Sequence, residues 1–269
     1  MLSEKNKENQ RGRQNRVVFV FHGSPTKIYR EDFENLKEHI TKISSKWIKV
    51  DFCFIEHQEP SFSDIIEEID SDEYTNHAFI DPVFIFRAGH MIQDIEPKVM
   101  STKNRYKFFL KPALADREPF ADLYSCFIKN YIEKKFGGID ENSAFLFVGR
   151  GTSDTYAAGD LYKFSRILWE KIGKKGHMFV SFAEVNNPLP QEVLSTINLE
   201  KFDNIFVVPI LMFRGYVEKK IAQECRNSID GKTNIEIIPP IAYAYAENFA
   251  KFLIRPYLFP FKHIYTDIK

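Results

Sequence analysis

His22, Glu56 and His90 follow one another at intervals of 34 residues, each just past an apolar run, and both histidines adjoin a glycine. Two imidazoles and a carboxylate that converge on a cleft can hold a borderline divalent cation such as Co²⁺, Ni²⁺, Fe²⁺ or Zn²⁺, with positions left open for water or substrate. Near neutral pH an imidazole can act as ligand or as proton acceptor, because its ordinary pKa is about 6.5. An interval of 34 residues is about one strand-helix unit. The remaining histidines, His39, His57, His77, His177 and His263, read as ordinary surface or core residues. His57 adjoins Glu56 and could be recruited, but neighbours on a strand face opposite ways.

The elements that must position these groups alternate along the chain. Val17 to Phe21 reads as a buried strand ending at Gly23-Ser24-Pro25, and Phe33, Leu36, Ile40 and Ile43 recur at helical spacing. A second strand is predicted over Ile48 to Ile55, a helix over Ser61 to Ile69, a third strand over Ala78 to Phe86 and a helix after Gly89. The same scheme returns as Ala144 to Val148, Leu161 to Trp169, His177 to Phe182, Gln191 to Ile197 and Ile205 to Phe213. Continuous apolar strands alternating with amphipathic helices indicate parallel sheets covered on both faces. In such sheets ligands bind at the carboxyl ends of the strands, where His22, Glu56, Arg87 and His90 all fall.

The two runs are copies. Phe19, Val20, Gly23, Phe54, Glu56 and Pro60 recur 128 residues later as Phe147, Val148, Gly151, Phe182, Glu184 and Pro188. After one slip Pro82, Phe86 and Arg87 match Pro209, Phe213 and Arg214, and after a second Gly89 matches Gly215. In this frame His22 faces Arg150 and His90 faces Tyr216. The chemistry belongs to the first copy. Two similar doubly wound α/β domains are therefore expected, residues 17–138 with the metal site and residues 139–269 with a degenerate one, meeting near Phe136-Gly137-Gly138 and forming the active cleft between them.

Lysine plus arginine equals aspartate plus glutamate, 37 each, so bulk positive charge for nucleic acid is missing. Residues 1–16 are polar, lack the apolar core of a secretory signal and read as a disordered lead-in. No apolar run approaches the roughly 20 residues that span a bilayer. Cys53, Cys126 and Cys225 form no metal or disulfide pattern, which fits a reducing cytoplasm.

Phe21-His22-Gly23-Ser24 and Pro82-Val83-Phe84-Ile85-Phe86-Arg87-Ala88-Gly89-His90 resemble the class II tetrapyrrole chelatases. Phe147-Val148-Gly149-Arg150-Gly151-Thr152-Ser153-Asp154 and Val208-Pro209-Ile210-Leu211-Met212-Phe213-Arg214-Gly215 resemble the second half of the long-form sirohydrochlorin cobaltochelatases, in which two chelatase-like units are fused. The resemblance covers residues 17–255 and departs from the family at Pro25-Thr26-Lys27, where an Arg-Asp-Pro type of continuation is common. It implies that His22 and His90 are metal-binding and catalytic, that Glu56 assists them, and that a divalent metal, Co²⁺ first and Fe²⁺ or Ni²⁺ as alternatives, is a substrate with no organic cofactor. The other substrate would be sirohydrochlorin, a flat macrocycle bearing eight carboxylates. Arg87, Arg150, Arg214 and Ser24 are the residues expected to bind it, because Arg holds a carboxylate through two parallel hydrogen bonds. Phe84, Phe86 and Phe213 are expected in the core instead. The internal duplication makes a monomer plausible.

Two other classes of function are compatible with parts of the sequence. Ser24 or Ser153 could serve a hydrolase, but no GxSxG elbow is present. The Gly-rich turns could cradle phosphate, but they fit neither a Walker nor a GxGxxG pattern. A non-catalytic tetrapyrrole or metal carrier would need the same cleft and histidines as an enzyme.

Overall fold

The computed structural model describes residues 14–44, 48–228 and 234–258. The first half runs β1 (Gln14–Phe21), α1 (Lys27–Ile43), β2 (Ile48–Phe54), α2 (Phe62–Ser71) and β3 (Thr75–Pro82), then a π-helical turn (Met91–Ile95) leading into α3 (Glu96–Met100), β4 (Phe108–Leu110) and α4 (Glu118–Phe136). The second runs β5 (Ser143–Gly149), α5 (Thr155–Lys171), β6 (His177–Phe182), α6 (Pro190–Thr196), β7 (Asn204–Pro209), α7 (Tyr216–Asn227) and β8 (Asn234–Ile237), closed by α8 (Ile241–Ala244) and α9 (Ala246–Ile254). Each half holds a four-stranded parallel sheet, ordered β2-β1-β3-β4 and β6-β5-β7-β8. The α/β fold with two parallel sheets is as the sequence predicts.

Burial on both faces explains the continuous apolar strands. Val17, Phe19 and Phe21 pack with Phe33, Leu36 and Ile40 of α1 on one face of the first sheet. Val18 and Val20 pack with Phe62, Ile66 and Ile69 of α2 and with Ile95 on the other. With no solvated face, polar alternation disappears.

Two sequence expectations are corrected. The polar lead-in ends earlier than Arg16, because β1 begins at Gln14 and Arg16 is buried, its guanidinium 2.8 Å from both Asp51 and Glu68. Residues 1–13 lie outside the described part. The third strands stop at Pro82 and Pro209 rather than at Phe86 and Phe213. The following residues are apolar because Val83, Ile85 and Ile210 are buried, while the carbonyls of Phe84 and Ile85 accept bonds from the Leu114 and Ala115 amides at 2.8 and 2.9 Å.

The boundary expected near Gly137 falls between the two sheets along the chain. Helix α4 ends there, but it packs on the second sheet: the Tyr124 hydroxyl donates to the Pro209 carbonyl at 2.9 Å, and Phe120 stacks on Phe164 of α5 at 5.7 Å. In return α9 packs along α1, and the Tyr257 hydroxyl donates to Asp81 of β3 at 2.7 Å. The halves thus exchange their C-terminal helices. A division at residue 138 follows the chain but not the packing. The tail does cross the junction through Tyr257; residues 259–269 lie outside the described part.

The duplication extends to backbone detail. Gly23 and Gly151 have φ of +89° and +103°, His57 and Val185 have φ of 65° and 66°, and Pro60 and Pro188 follow cis bonds. A Cβ on Gly23 would run into the backbone carbonyl oxygen of Glu56. Gly23→Ala should therefore cost about 2–3 kcal/mol in a denaturant titration, through the strained φ and the displaced carbonyl. A change below about 0.5 kcal/mol would show that the turn yields freely.

Candidate metal centre

His22 is the first residue beyond β1, Glu56 the second beyond β2, and His90 caps the π-helical turn. The His22 carbonyl accepts the Glu56 amide at 2.9 Å, so the first two loops leave the sheet side by side. One ligand atom from each of His22, Glu56 and His90 lies within 4.8 Å of the others. The two imidazole centroids are 4.7 Å apart, and His90 Nε2 is 3.7 Å from Glu56 Oε1. The structure assembles the trio that the spacing predicts.

Both imidazoles are fixed by their other nitrogen. His22 Nδ1 is 2.9 Å from the Gly23 carbonyl, and His90 Nδ1 is 2.8 Å from Asp94 Oδ2. A carbonyl and a carboxylate only accept, so Nδ1 donates in each ring and Nε2 is the nitrogen left to face a ligand. Burial lowers the pKa of His22, and the adjacent His90 lowers it further, against the opposing pull of the Gly23 carbonyl and Glu56. His22 is therefore neutral, and ready as a ligand, down to lower pH than a free histidine.

Beside the trio lies a cleft of about 530 Å³ between the halves, lined by His22, Ser24, His57, Arg150 and Arg214 among others. Phe84, Phe86 and Phe213 also line it, although Phe86 packs on Phe164 and Phe213 on Phe21. The expectation of pure core residues is corrected here: these rings back the core and present a flank to the cleft. Glu218, from α7, lines the second wall, and burial raises its pKa.

The predicted substrate-binding residues separate. Arg150 lines the cleft exposed, and its charge adds to the forces that keep His22 neutral. Arg87 does not line the cleft; it grips Glu96 through two bonds of 2.7 and 2.6 Å and braces the turn that carries His90. Arg214 reaches the cleft, but its guanidinium is bound to the buried Asp32 of the other half and lies 3.6 Å above the Tyr243 ring. The Ser24 hydroxyl is 3.1 Å from Thr26 Oγ1. Thr26 caps α1 without a side-chain bond, whereas its repeat mate Asp154 accepts from the Tyr156 and Ala157 amides. That is the consequence of the departure at Pro25-Thr26-Lys27.

Two neighbours of the trio escaped the sequence reading. Asp94 was visible in principle as a carboxylate four residues after His90 on a helical segment. The alternation of a strand does not govern His57, because β2 ends at Phe54 and His57 is left-handed; its Nε2 sits 3.3 Å from Glu56 Oε2. In the second half Lys220 stands in the place of Asp94. Its ammonium is 3.6 Å from Glu184 and donates to the Ala183 carbonyl at 2.9 Å, so a fixed lysine cation occupies the second copy.

The CbiX family profile matches residues 16–129 and 144–255, one match per half. A sirohydrochlorin cobaltochelatase of Priestia megaterium is 27% identical over 82% of this chain and 71% of its own length. A sirohydrochlorin ferrochelatase of Bacillus subtilis (strain 168) is 28% identical over 77% of this chain and 78% of its own. Among solved structures, SirB from Bacillus subtilis with Fe³⁺ superposes with a TM-score of 0.69 and 23% identity, covering 90% of this chain and 94% of that one, which supports the shared fold. With both halves matched and the trio assembled at their cleft, this chain belongs to the CbiX family.

Proposed function

We propose that the protein is a metal chelatase that inserts a divalent cation, Co²⁺ first, into sirohydrochlorin or a related tetrapyrrole. The observation that carries this reading is the convergence of His22, Glu56 and His90 within 4.8 Å beside an aromatic-walled cleft. The names of the cobaltochelatase and ferrochelatase relatives point the same way. The metal and the macrocycle are both substrates.

His22 and His90 present Nε2 to the cation, and Glu56 balances its charge. As the metal descends into the macrocycle its protein ligands are exchanged for pyrrole nitrogens, and two N–H protons leave. A neutral imidazole released from the metal can accept one of them, and solvent water at the open cleft takes the other. Phe84, Phe86 and Phe213 offer apolar walls to the flat ring, and Arg150 offers a cation to its carboxylates. In the second copy Lys220 pairs with Glu184 and Glu224 in place of a metal trio, and the cation this wall offers the cleft is Arg150.

Asp94 holds His90 in the ligating tautomer. Asp94→Ala should weaken Co²⁺ binding 10- to 100-fold, read by titration of the protein with cobalt alone; an unchanged affinity would remove Asp94 from the site.

Three free cysteines and the exchange of helices within one chain support a cytoplasmic enzyme acting as a monomer. No helix among the described residues is long and apolar enough to cross a membrane. The choice of metal is tested by comparing insertion rates for Co²⁺, Fe²⁺ and Ni²⁺ with the spontaneous rates. Cobalt is expected to show the largest acceleration, and a larger one with iron would assign a ferrochelatase.

A further inference from the structure

The first half carries a third histidine at a loop where the second half has none. At the three equivalent loop positions the first half has His22, His57 and His90, and the second has Arg150, Val185 and Tyr216. The backbone at the middle position is left-handed in both copies, φ 65° at His57 and 66° at Val185. The fold itself sets that conformation, since the second half imposes it even on an exposed β-branched valine that disfavours it. The imidazole at position 57 is therefore not needed to form the turn.

Its surroundings supply another use. Glu56 has one oxygen toward each imidazole: Oε1 lies 3.7 Å from His90 Nε2, and Oε2 lies 3.3 Å from His57 Nε2. A cation with metal–ligand bonds of about 2.0–2.2 Å holds adjacent donors roughly 3 Å apart, so the His57–Glu56 pair already has nearly the bite of a two-donor metal site. Exposure falls inward along the same line. The side chains of His57 and Glu56 are 46% and 44% exposed, and His90 is 30% exposed. His57 lines the cleft mouth, and no hydrogen bond or ion pair other than the one to Glu56 engages its ring among the described residues.

We propose that His57 and Glu56 form an outer loading site, where a hydrated divalent cation is captured before it passes to His22 and His90. The inference rests on the chelatase reading for its destination, but not for the capture itself. The transfer is a ligand exchange. The cation gives up two waters for His57 Nε2 and Glu56 Oε2, then gives up His57 as His90 and His22 bind, with Glu56 retained as the pivot and no change of oxidation state. Stepwise replacement of water avoids the cost of dehydrating the cation in a single event at the half-buried histidines.

The test uses the full chain with Co²⁺ as probe, in two variants. His57→Asn suits the left-handed backbone, and His57→Val copies the residue that the second half places at the same φ. Thermal melting verifies that each is folded. Both variants should raise the half-saturating Co²⁺ concentration for insertion on the order of tenfold, with the rate at saturating cobalt within about twofold of the parent. Cobalt titration without tetrapyrrole should show the same weakening. An unchanged cobalt dependence in both folded variants overturns the proposal, as does a lost maximal rate with unchanged half-saturation. If the parent protein binds cobalt with help from His57 but accelerates no insertion, the loading site stands and the chelatase reading falls.

Discussion

Replacing His22 with alanine is expected to reduce metal insertion on the order of 1000-fold or more while leaving the protein folded. The imidazole sits at the centre of the chemistry: it is 4.7 Å, centroid to centroid, from His90 and shares the 4.8 Å cluster with Glu56. Its structural contribution is small, a single hydrogen bond from Nδ1 to the Gly23 carbonyl at 2.9 Å, worth about 1 kcal/mol. Residues that act as a unit lose most of their effect when one is removed, so the remaining histidine and glutamate should not compensate. Initial rates of insertion and a melting curve on the same preparation check both parts. A folded variant with a near-normal rate would exclude His22 as a ligand.

The second large effect concerns stability. Arg214→Ala is expected to destabilise the fold by about 3–5 kcal/mol, because it strips the partner from a buried carboxylate. Asp32, on α1, is 2% exposed and receives the Arg214 guanidinium through Nε and Nη2, while the Arg214 amide adds a bond at 3.0 Å that would survive the change. The cation also lies against Tyr243, a contact that adds a further fraction of this loss. Because the pair joins α1 of one half to the loop after β7 of the other, the two sides of the cleft should loosen together. Urea titration should show the loss, with a melting temperature lower by on the order of 10 °C. A change below 1 kcal/mol would mean that the exchanged helices alone hold the halves together.

The sequence exposes what is local or periodic. A run of four fully buried residues, Val17 to Val20, is legible because both faces of a parallel strand are covered. The position of His22, Glu56 and His90 at strand ends follows from the repeat, since equivalent glycines and prolines fix the loops in both halves. Tertiary choices were not legible. The exchange of α4 and α9 depends on which sheet a helix meets, and an amphipathic pattern does not say. Arg87 and Arg214 look alike in the repeat, yet Arg87 finds Glu96 nine residues on, while in the second copy Ala222 stands in the place of Glu96 and Arg214 turns to Asp32 across the cleft. His57 was hidden by a rule for strands applied one turn too far: past Phe54 the chain is no longer extended, and a left-handed φ points the imidazole back to Glu56.

The central claim is that the histidine-bearing half performs metal insertion in a cleft completed by the other half. The most direct measurement is the initial rate at which the full chain converts sirohydrochlorin and Co²⁺ to the metallated product, followed by absorbance against the spontaneous reaction. The expected rate is proportional to protein concentration, saturable in both substrates and lost in the His22→Ala and His90→Ala proteins. Tight binding of the tetrapyrrole and the metal with no rate above the spontaneous one would contradict it and make the protein a carrier.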